Sequence, residues 1–388
     1  PPDEIVALVG TGGTTGRPKG VLLTDRNVET MSAITLMSYP FDERPVYLAL
    51  APLTHAAGVL CFPVMARGGE VVIMAKPDVG RFLELIEAHR VTHTFLPPTL
   101  IYMVLGHEAL DATDLSSLQC FWYGAAPMSV ARLTEALDRI GPMAQLFGQS
   151  EAPMMISTMS PAEHRRADGS VATERLASAG RPSPLVTVAI LDQQGHPVPR
   201  GERGEICVRG SLVMAGYHRN PEATAEVITA DGWFRTGDLG EWRGGFLRVT
   251  GRKKDLIVTA GGENISPSRI EDILAESSLV DQVLVVGDGR PFLVALVVPD
   301  FTELALHGLH GAPEQVVADP RTRTLLEAEL DTANRKLGKA ERVRAHAVLP
   351  RAWTGDSGEL TPTLKLRRAA VERSHRAVVD ELYADGGA

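Results

Sequence analysis

A glycine- and threonine-rich segment near the start of the chain has residue types that can hold a phosphate group. Residues 11–20 read TGGTTGRPKG. Glycines permit a tight loop of backbone N–H groups, while hydroxyls and a lysine add donors and a positive charge. The segment does not fit the GxxxxGK[ST] pattern of a Walker loop, and a polar hairpin turn is the alternative interpretation of such a segment taken alone. The candidate phosphate-binding residues are Thr11, Gly12, Gly13, Thr14, Thr15, Gly16 and Lys19.

Two later segments each contain an acidic residue close to glycine. Glu151 ends the segment Phe147-Gly148-Gln149-Ser150-Glu151, and Asp238 lies in residues 232–240, which read GWFRTGDLG. A carboxylate beside a polyphosphate requires a hard cation between the two. A fixed carboxylate can also accept hydrogen bonds from both hydroxyls of a ribose. Taken alone, Glu151 fits an exposed loop acid equally well, and Asp238 fits a Gly-Asp turn.

Two more segments follow predicted strands. Residues 51–58 read APLTHAAG and include His55, which taken alone is better explained as a packed loop histidine. Residues 123–128 read YGAAPM. Small residues after a strand let a flat ring lie against the backbone, although a simple strand-to-helix turn is the preferred interpretation in isolation. The small residues in question are Gly124, Ala125, Ala126 and Pro127.

The last third of the chain adds basic and glycine-rich segments. Residues 251–255 read GRKKD and include Arg252 and Lys254, while Lys365 lies in residues 358–368, GELTPTLKLRR. A mobile ammonium can stabilise charge shared between a carboxylate and a phosphate. The loop at residues 259–267, TAGGENISP, has two adjacent glycines that suit close approach to a ligand. Each basic segment taken alone fits a solvated surface turn.

Taken in order, these segments resemble the motifs of the adenylate-forming enzymes. This family includes acyl-CoA synthetases, nonribosomal-peptide adenylation domains and luciferases, and the sequence is most similar to its fatty acyl-CoA ligase branch. The resemblance covers essentially all 388 residues. The family has a sizeable subdomain upstream of the phosphate loop, which we expect to be missing here. Three residues depart from the family pattern: Gly12 replaces a frequent Ser, Phe147 the usual Tyr and Arg269 a frequent Glu.

The resemblance implies a two-step reaction with ATP, Mg²⁺ and coenzyme A. A carboxylate attacks the α-phosphorus of ATP and releases pyrophosphate, and a thiol then attacks the acyl-adenylate. Lys365, Glu151, Lys19 and His55 are the implied catalytic residues, with Glu151 holding the metal ion. The second domain is expected to rotate about Lys254 between the steps and to bring the coenzyme A loop to the site. That loop consists of Gly261, Gly262 and Glu263.

The resemblance also implies which residues bind the nucleotide and the acyl group. Beyond residues 11–19, the implied ATP and AMP ligands are Gly124, Ala125, Ala126, Pro127, Phe147, Gly148, Gln149, Ser150, Asp238, Arg252 and Lys365. The implied acyl pocket is apolar. Its walls are His55, Ala56, Gly58, Phe121, Trp122, Gly124, Gln149, Pro153 and Met154.

A fatty acid is the expected substrate. Residues 54–58, THAAG, offer no carboxylate for the ammonium of an amino acid, and an uncompensated ammonium in an apolar pocket would be costly. Trp122 could shorten the pocket, so aryl acids remain an alternative. A carrier-protein thiol in trans is an alternative acceptor to coenzyme A. A non-enzymatic alternative is a catalytically silent homologue or fragment that only binds nucleotide.

Hydrophobic patterning predicts the elements that must position these residues. Short β-branched runs alternate with helical spacing, which favours an α/β layer with parallel strands over residues 1–177. Short glycine-punctuated strands predict an antiparallel, barrel-like part over residues 178–250. After a hinge at residues 251–254, we expect a smaller mobile α+β domain over residues 255–388.

Composition and charge exclude several classes of protein. A net charge of −9 argues against a dedicated nucleic-acid binder. Three widely spaced cysteines make a disulfide framework or zinc site improbable and fit a reducing, cytoplasmic compartment. No apolar run is long enough to span a bilayer, although hydrophobic substrates are compatible with peripheral membrane contact. A dimer is plausible from the family, but the sequence leaves the oligomeric state open.

Overall fold

The computed structural model describes residues 3–11, 19–50, 53–54, 56–361 and 366–385. The chain divides into two compact units, Pro1–Val249 and Thr250–Ala388. Each unit buries its own clusters of apolar side chains.

The first unit combines strands and helices throughout its length. Its strands are β1 (Ile5–Gly10), β2 (Gly20–Thr24), β3 (Val46–Leu50), β4 (Glu70–Met74), β5 (His93–Leu96), β6 (Cys120–Tyr123), β7 (Met143–Gln149), β8 (Ala152–Met159), β9 (Arg181–Pro182), β10 (Val186–Leu191), β11 (Gly204–Gly210), β12 (Gly216–Tyr217), β13 (Phe234–Arg243) and β14 (Phe246–Arg252), which runs into the second unit. Its helices are α1 (Asp25–Ser38), α2 (Ala56–Val59), α3 (Cys61–Ala66), α4 (Val79–Ala88), α5 (Pro98–Leu105), α6 (Val130–Arg139), α7 (Thr173–Leu176) and α8 (Pro221–Val227).

The second unit is smaller and richer in helix. Its strands are β15 (Ile257–Val258), β16 (Asn264–Ile265), β17 (Val280–Val286), β18 (Leu293–Pro299) and β19 (Val343–Val348). Its helices are α9 (Pro267–Leu274), α10 (Phe301–Leu306), α11 (Pro313–Ala318), α12 (Pro320–Arg335), α13 (Arg368–Ser374) and α14 (Arg376–Asp385).

A seven-stranded sheet in the order β4-β3-β5-β6-β7-β8-β9 forms the centre of the first unit. Strands β3 to β7 pair in parallel, and β8 and β9 extend the sheet antiparallel. Parallel neighbours need a crossover connection, which the helices between them provide. The carboxyl ends of β3, β6 and β7 therefore lie along one edge of the sheet. Three of the predicted site segments follow these strand ends, at residues 51–58, 124–127 and 150–151.

Side chains of the central sheet alternate between two apolar layers. Trp122 lies in the layer that contains Met31 and Ile34 of α1. The adjacent Phe121 lies in the opposite layer, with Phe82 of α4. Both strand faces are covered, as is usual for a parallel sheet.

Two smaller antiparallel sheets complete the first unit. Strands β1, β2 and β12 form one, and β10, β11, β13 and β14 form the other. Helix α1 follows β2 directly because Thr24 caps it. The Thr24 Oγ1 accepts a hydrogen bond from the Asn27 backbone N at 3.2 Å, and the Asn27 side chain accepts one from the Thr24 N at 2.8 Å.

The second unit has a three-stranded sheet in the order β17-β18-β19 with helices on both faces. Leu293 and Val297 of β18 face a cluster that includes residues of α9 and α12. Val294 and Leu296 face the cluster that includes Val371 of α13. This alternation explains why the whole of β18 is apolar.

The expected fold class is confirmed: an α/β unit with an antiparallel part precedes a smaller α+β unit. The two units meet at Val249/Thr250, just before the predicted hinge segment, while the proposed boundary at residue 178 stays a prediction. No helix in the described part of the chain has both the length and the apolar character needed to cross a membrane.

Candidate active site

A β-hairpin frames the predicted phosphate-binding segment. Strands β1 and β2 pair antiparallel up to Gly10 opposite Gly20, so the hairpin interpretation of the sequence correctly describes the flanks. At its base, the Thr11 N donates to the Lys19 carbonyl at 2.9 Å, and the Lys19 N donates to the Thr11 Oγ1 at 3.3 Å. Predicted ligands lying outside the described residues are Gly12, Gly13, Thr14, Thr15 and Gly16.

Lys19 and Glu151 both contact Tyr217. The Lys19 Nζ lies 4.6 Å from the centroid of the Tyr217 ring. The Tyr217 hydroxyl donates a hydrogen bond to the Glu151 Oε1 at 2.8 Å. We call this arrangement the Lys19–Tyr217–Glu151 row. It brings together a cation and an anion that the sequence predicted for the same site, through a residue that the sequence analysis missed.

The turn between β7 and β8 carries Glu151. The Glu151 carbonyl accepts a hydrogen bond from the Met214 N at 2.8 Å, which ties this turn to the segment before β12. A Cβ at Gly148 would lie 2.5 Å from the carbonyl carbon of Met154, so only glycine fits there. Met154 itself has a φ of 61°. The close approach of these two backbones explains the glycine between Phe147 and Gln149.

Gln149 and Asp238, which are 89 positions apart, are in direct contact. The Gln149 Nε2 donates to the Asp238 Oδ2 at 2.6 Å and to the Thr236 carbonyl at 2.9 Å. Asp238 is only 3% exposed. The Thr236 Oγ1 accepts from the Asp238 N at 3.1 Å, which fixes the strand locally. Asp238 is therefore a buried acceptor, and the neutral Gln149 side chain contributes to its orientation.

The predicted adenine-binding turn follows β6 at the carboxyl edge of the sheet. Gly124 is buried, and a Cβ there would lie 2.4 Å from the Leu146 carbonyl oxygen of the neighbouring strand. Ala125 has a φ of 67°, and residues 125–127 are exposed. Phe147 is partly buried. The turn thus offers a small, open backbone surface.

The predicted acyl-pocket residues do not form a single wall. Phe121 and Trp122 are both fully buried, but on opposite faces of the sheet. Ala56 and Met154 pack against the layer that contains Trp122. Phe121 and Trp122 therefore do not share one wall, and the acyl-pocket assignment stays a prediction.

Trp122 is a core residue of the described first unit. Its ring lies among those of Tyr39, Phe41, Tyr47 and His93, with centroid separations of 5.2 to 6.2 Å. The Trp122 side chain would reach an acyl chain only through a rearrangement of this cluster.

The other predicted pocket residues have different surroundings. Gly58 lies in α2, where a Cβ would lie 1.7 Å from the Leu53 carbonyl oxygen. Pro153 is buried at the start of β8. His55 lies outside the described residues. Ser150 is partly buried at the carboxyl end of β7.

The second unit positions the predicted coenzyme A loop and hinge. Residues 261–263 form an exposed turn between β15 and β16. The Gly262 N donates to the Thr259 carbonyl at 2.8 Å, and the Glu263 N donates to the Thr259 Oγ1 at 3.2 Å. Gly262 has a φ of 81°, which favours glycine. Arg252 and Lys254 are exposed at the start of this unit.

The segment that carries Lys365 is anchored on both sides, although Lys365 lies outside the described residues. Leu360 and Leu366 form an antiparallel bridge. Arg368 forms an ion pair with Glu271 of α9. Burial raises the pKa of Glu271, and the Arg368 guanidinium opposes this shift.

The unusual Arg269 has a partner within its own unit. The Arg269 Nη1 lies 2.6 Å from the Glu341 Oε1, and both side chains are partly buried. This ion pair accounts locally for the departure from the family pattern.

Family comparison agrees with the geometry. The sequence model for AMP-binding enzymes matches residues 1–218, and that for the AMP-binding enzyme C-terminal domain matches residues 254–386. The chain belongs to the AMP-binding enzyme family. The resemblance to adenylate-forming enzymes, inferred from the motifs, is thereby confirmed.

The relatives of this chain include ligases that are named for different substrates, such as a feruloyl-CoA synthase of Amycolatopsis sp. and a fatty-acid–CoA ligase. A medium/long-chain-fatty-acid–CoA ligase of Mycobacterium tuberculosis is 43% identical over 289 residues, which is 74% of this chain and 49% of the relative. The chain spans 49% to 58% of the length of four curated relatives, about half.

Two solved structures are similar over nearly the whole chain. An amide bond synthetase of Marinactinospora thermotolerans is 31% identical with a TM-score of 0.79, and the match covers 95% of this chain and 69% of that one. The o-succinylbenzoate coenzyme A synthetase of Bacillus subtilis, in complex with ATP and magnesium, is 28% identical with a TM-score of 0.76. That match covers 95% of this chain and 70% of the synthetase.

Proposed function

We propose that this AMP-binding enzyme activates a fatty acid with ATP and transfers the acyl group to coenzyme A. The Lys19–Tyr217–Glu151 row is the observation that carries the proposal. A cation and a carboxylate contact the same tyrosine next to the β1–β2 hairpin, which supports the assignment of this hairpin to phosphate binding. A polyphosphate with a bound divalent cation needs both kinds of charge.

In the first step, a carboxylate oxygen of the acid attacks the α-phosphorus of ATP. The bond from that phosphorus to the bridging oxygen breaks, and pyrophosphate leaves. Such a reaction depends on positioning and charge neutralisation more than on covalent help. We assign pyrophosphate binding to Thr14, Thr15 and Lys19, and stabilisation of the reacting oxygens to Lys365.

Glu151 is suited to a metal ion that arrives with its nucleotide. Among the described residues, no three or more His, Cys, Asp and Glu side chains form a group that could hold a metal by themselves. Nucleotide-bound Mg²⁺ needs only one or two protein carboxylates, since phosphates and water complete its shell. Glu151 is partly exposed and shares one oxygen with Tyr217. Mg²⁺ there would neutralise part of the phosphate charge.

Asp238 is proposed to hold the ribose. Its carboxylate is buried and is oriented by Gln149, so it can accept hydrogen bonds without first being ordered by the ligand. Phe147 would stack on the adenine, and residues 124–127 would lie along the edge of the ring. Arg252 is proposed to reach the ribose or the phosphates.

In the second step, the sulfur of coenzyme A attacks the acyl carbon. The bond to the AMP oxygen breaks, AMP leaves, and the thiol proton is lost. We propose that rotation about Lys254 withdraws Lys365 and brings residues 261–263 to the site. The turn is held by hydrogen bonds to Thr259 of its own unit, which suits movement together with that unit.

The choice of a fatty acid rests on two observations. Residues 54–58 contain no carboxylate to pair with an amino-acid ammonium. The relative that is 43% identical is a fatty-acid–CoA ligase.

The structural relatives support two alternatives. An aromatic acid as substrate is one, because the o-succinylbenzoate synthetase shares the fold over 95% of the chain. Transfer of the acyl group to an amine is another, supported by the amide bond synthetase.

Pyrophosphate release tests the proposed function. The protein is incubated with ATP, Mg²⁺ and a panel of fatty, aromatic and amino acids, with and without coenzyme A or a simple amine. Release that depends on a fatty acid, together with acyl-CoA formation, supports the proposal. Release with aromatic acids alone, or product formation with the amine alone, supports an alternative. If the protein binds nucleotide but releases no pyrophosphate with any of the acids, it is a catalytically silent homologue.

A further inference from the structure

We propose that Tyr217 is a positioning residue for adenylation, which supports the Lys19 ammonium with its ring and orients the Glu151 carboxylate with its hydroxyl. The inference rests on the proposed function, because it takes Lys19 and Glu151 as the phosphate and metal ligands. Tyr217 would act through these two side chains and need not touch the substrate.

The ring of Tyr217 fixes one end of the row. At 4.6 Å from the ring centroid, the Lys19 Nζ is within the ~6 Å range of a cation–π contact. Lysine loses considerable side-chain entropy when it is ordered. Because the contact with Tyr217 already orders Lys19, less side-chain entropy is lost when the ligand binds.

The hydroxyl of Tyr217 fixes the other end. Its 2.8 Å hydrogen bond to the Glu151 Oε1 is made to a charged acceptor, which is the stronger class of hydrogen bond. Burial, reinforced by the negative charge of Glu151, raises the pKa of Tyr217. The phenol therefore remains a proton donor throughout the neutral range.

Lys19 and Glu151 contact different parts of Tyr217. Lys19 and Glu151 are both among the described residues and form no ion pair with each other. A direct pair would neutralise both groups and would have to break before phosphate and metal could bind. Because Lys19 contacts the ring of Tyr217 and Glu151 contacts its hydroxyl, each charge stays available to its own ligand.

The backbone holds Tyr217 rigidly in this position. Tyr217 is 8% exposed and pairs with Val21 of β2, only two positions after Lys19. The Tyr217 N donates to the Thr224 Oγ1 at 2.9 Å. The next residue, His218, donates its N to the Gly20 carbonyl at 2.8 Å. Tyr217 and the end of the phosphate hairpin are thus parts of one sheet.

The test compares Tyr217→Phe and Tyr217→Leu with the wild-type chain. Binding of ATP is measured by calorimetry at a series of Mg²⁺ concentrations, and pyrophosphate release is measured in parallel. We expect Tyr217→Phe to raise the half-saturating Mg²⁺ concentration roughly tenfold, because the carboxylate loses its orientation. We expect Tyr217→Leu also to weaken ATP binding at saturating Mg²⁺, because Lys19 loses its support and can pair with Glu151.

Tyr39→Phe is the matched control. The Tyr39 hydroxyl lies in the same unit and donates to the Gln145 carbonyl at 2.6 Å, so its loss removes a tyrosine hydrogen bond that is not made to Glu151. It should leave the Mg²⁺ dependence unchanged. An equal shift in Tyr39→Phe and Tyr217→Phe would overturn the inference, as would no shift in Tyr217→Phe.

Two further measurements separate this inference from the proposed function. Without ligand, the unfolding free energies of Tyr217→Phe, Glu151→Gln and the double variant test the hydrogen bond itself. Non-additivity is expected, and strict additivity contradicts it. Failure of the wild-type chain to bind ATP would refute the proposed function, whereas normal wild-type binding with an unaltered Tyr217→Phe would refute only the positioning role.

Discussion

Asp238 is a buried carboxylate that a neutral neighbour holds in place. Gln149 donates to one of its oxygens, and the local backbone is tied through Thr236. The Gln149 amide donates to one carboxylate oxygen, so the group is already oriented before a ligand binds. The same logic applies to the uncharged hydroxyl that Tyr217 offers to Glu151.

Replacing Asp238 with Asn tests the ribose assignment. The variant keeps the shape of the side chain but loses the charged acceptor, so we expect ATP to bind roughly tenfold more weakly. Calorimetric titration measures this effect. Asp231→Asn, an exposed acid in the same segment, is the control and should bind ATP normally. Unchanged binding by Asp238→Asn would remove Asp238 from the site.

Lys365→Ala tests the division of work between the two half-reactions. We expect adenylation to fall by about two orders of magnitude, since a cation at the reacting oxygens is lost. Thioester formation from a supplied acyl-adenylate should be retained. The exposed Lys339, in the same unit, provides the control variant Lys339→Ala. Equal losses in both half-reactions would contradict the assignment.

At the scale of elements, the β7–β8 turn positions Glu151 through the close packing of two backbones. Gly148 leaves no space for a side chain, and Met154 adopts a positive φ opposite it. The strands on both sides are buried in the main core. The position of the carboxylate is therefore a consequence of how this turn closes.

Gly148→Ala should destabilise the first unit because its Cβ would overlap the Met154 backbone. We expect a loss of ~1–3 kcal/mol in the free energy of unfolding, as for overpacked sites. Chemical denaturation measures the loss. Gly106→Ala is the control, because its Cβ would meet its nearest neighbour at an ordinary 3.7 Å. Equal stability of the two variants would show that the turn relaxes freely.

Two buried histidines predict a pH dependence for the central sheet. Burial lowers the pKa of His93 and of His164 to about 4. In the folded state both remain neutral below pH ~6.5, where unfolded histidine gains a proton. Stability from these groups is therefore present above pH ~6.5 and falls as the pH drops toward 4.

This prediction is tested by measuring the unfolding free energy from about pH 7.5 to about pH 4.5, a range chosen from the folded and unfolded pKa values of histidine. His164→Gln can keep a hydrogen bond to Tyr123 but cannot titrate, so it should flatten the slope. His196→Gln, an exposed histidine in the same unit, is the control and should retain the wild-type slope. If His164→Gln shows the wild-type dependence of unfolding free energy on pH, His164 does not contribute to that dependence.

At the scale of the whole molecule, the chain consists of two units with separate cores. Strand β14 leads from the first unit into the second, and Lys254 follows it directly. Adenylation and thioester formation would need different residues at the site. We propose that this connection is the hinge that exchanges them. We propose that the second unit rotates at this hinge. Such a rotation requires a large change in φ or ψ at only a few residues.

Lys254→Pro tests that proposal by fixing φ near −65°. We expect one half-reaction to be retained and the other to fall at least ~tenfold, since only one orientation would be accessible. Lys254→Ala, which leaves the backbone free, is the control and should support both. Separate assays of adenylation and thioester formation measure the split. Equal retention of both steps in Lys254→Pro would exclude rotation at this residue.

Local sequence determined much of this protein. The motifs identified the family, and hydrophobic periodicity predicted an α/β part, an antiparallel part and a smaller α+β part in this order. These features depend on side-chain periodicity and on turn residues, which act over a few positions.

Tertiary structure alone decided how distant residues meet. The Tyr217–Glu151 and Gln149–Asp238 hydrogen bonds join residues 66 and 89 positions apart, and no local pattern records such pairs. It also decided which face each side chain of β6 occupies. Because both faces of a parallel sheet are buried, Phe121 and Trp122 are equally apolar, and their sequence carries no signal of their opposite orientation.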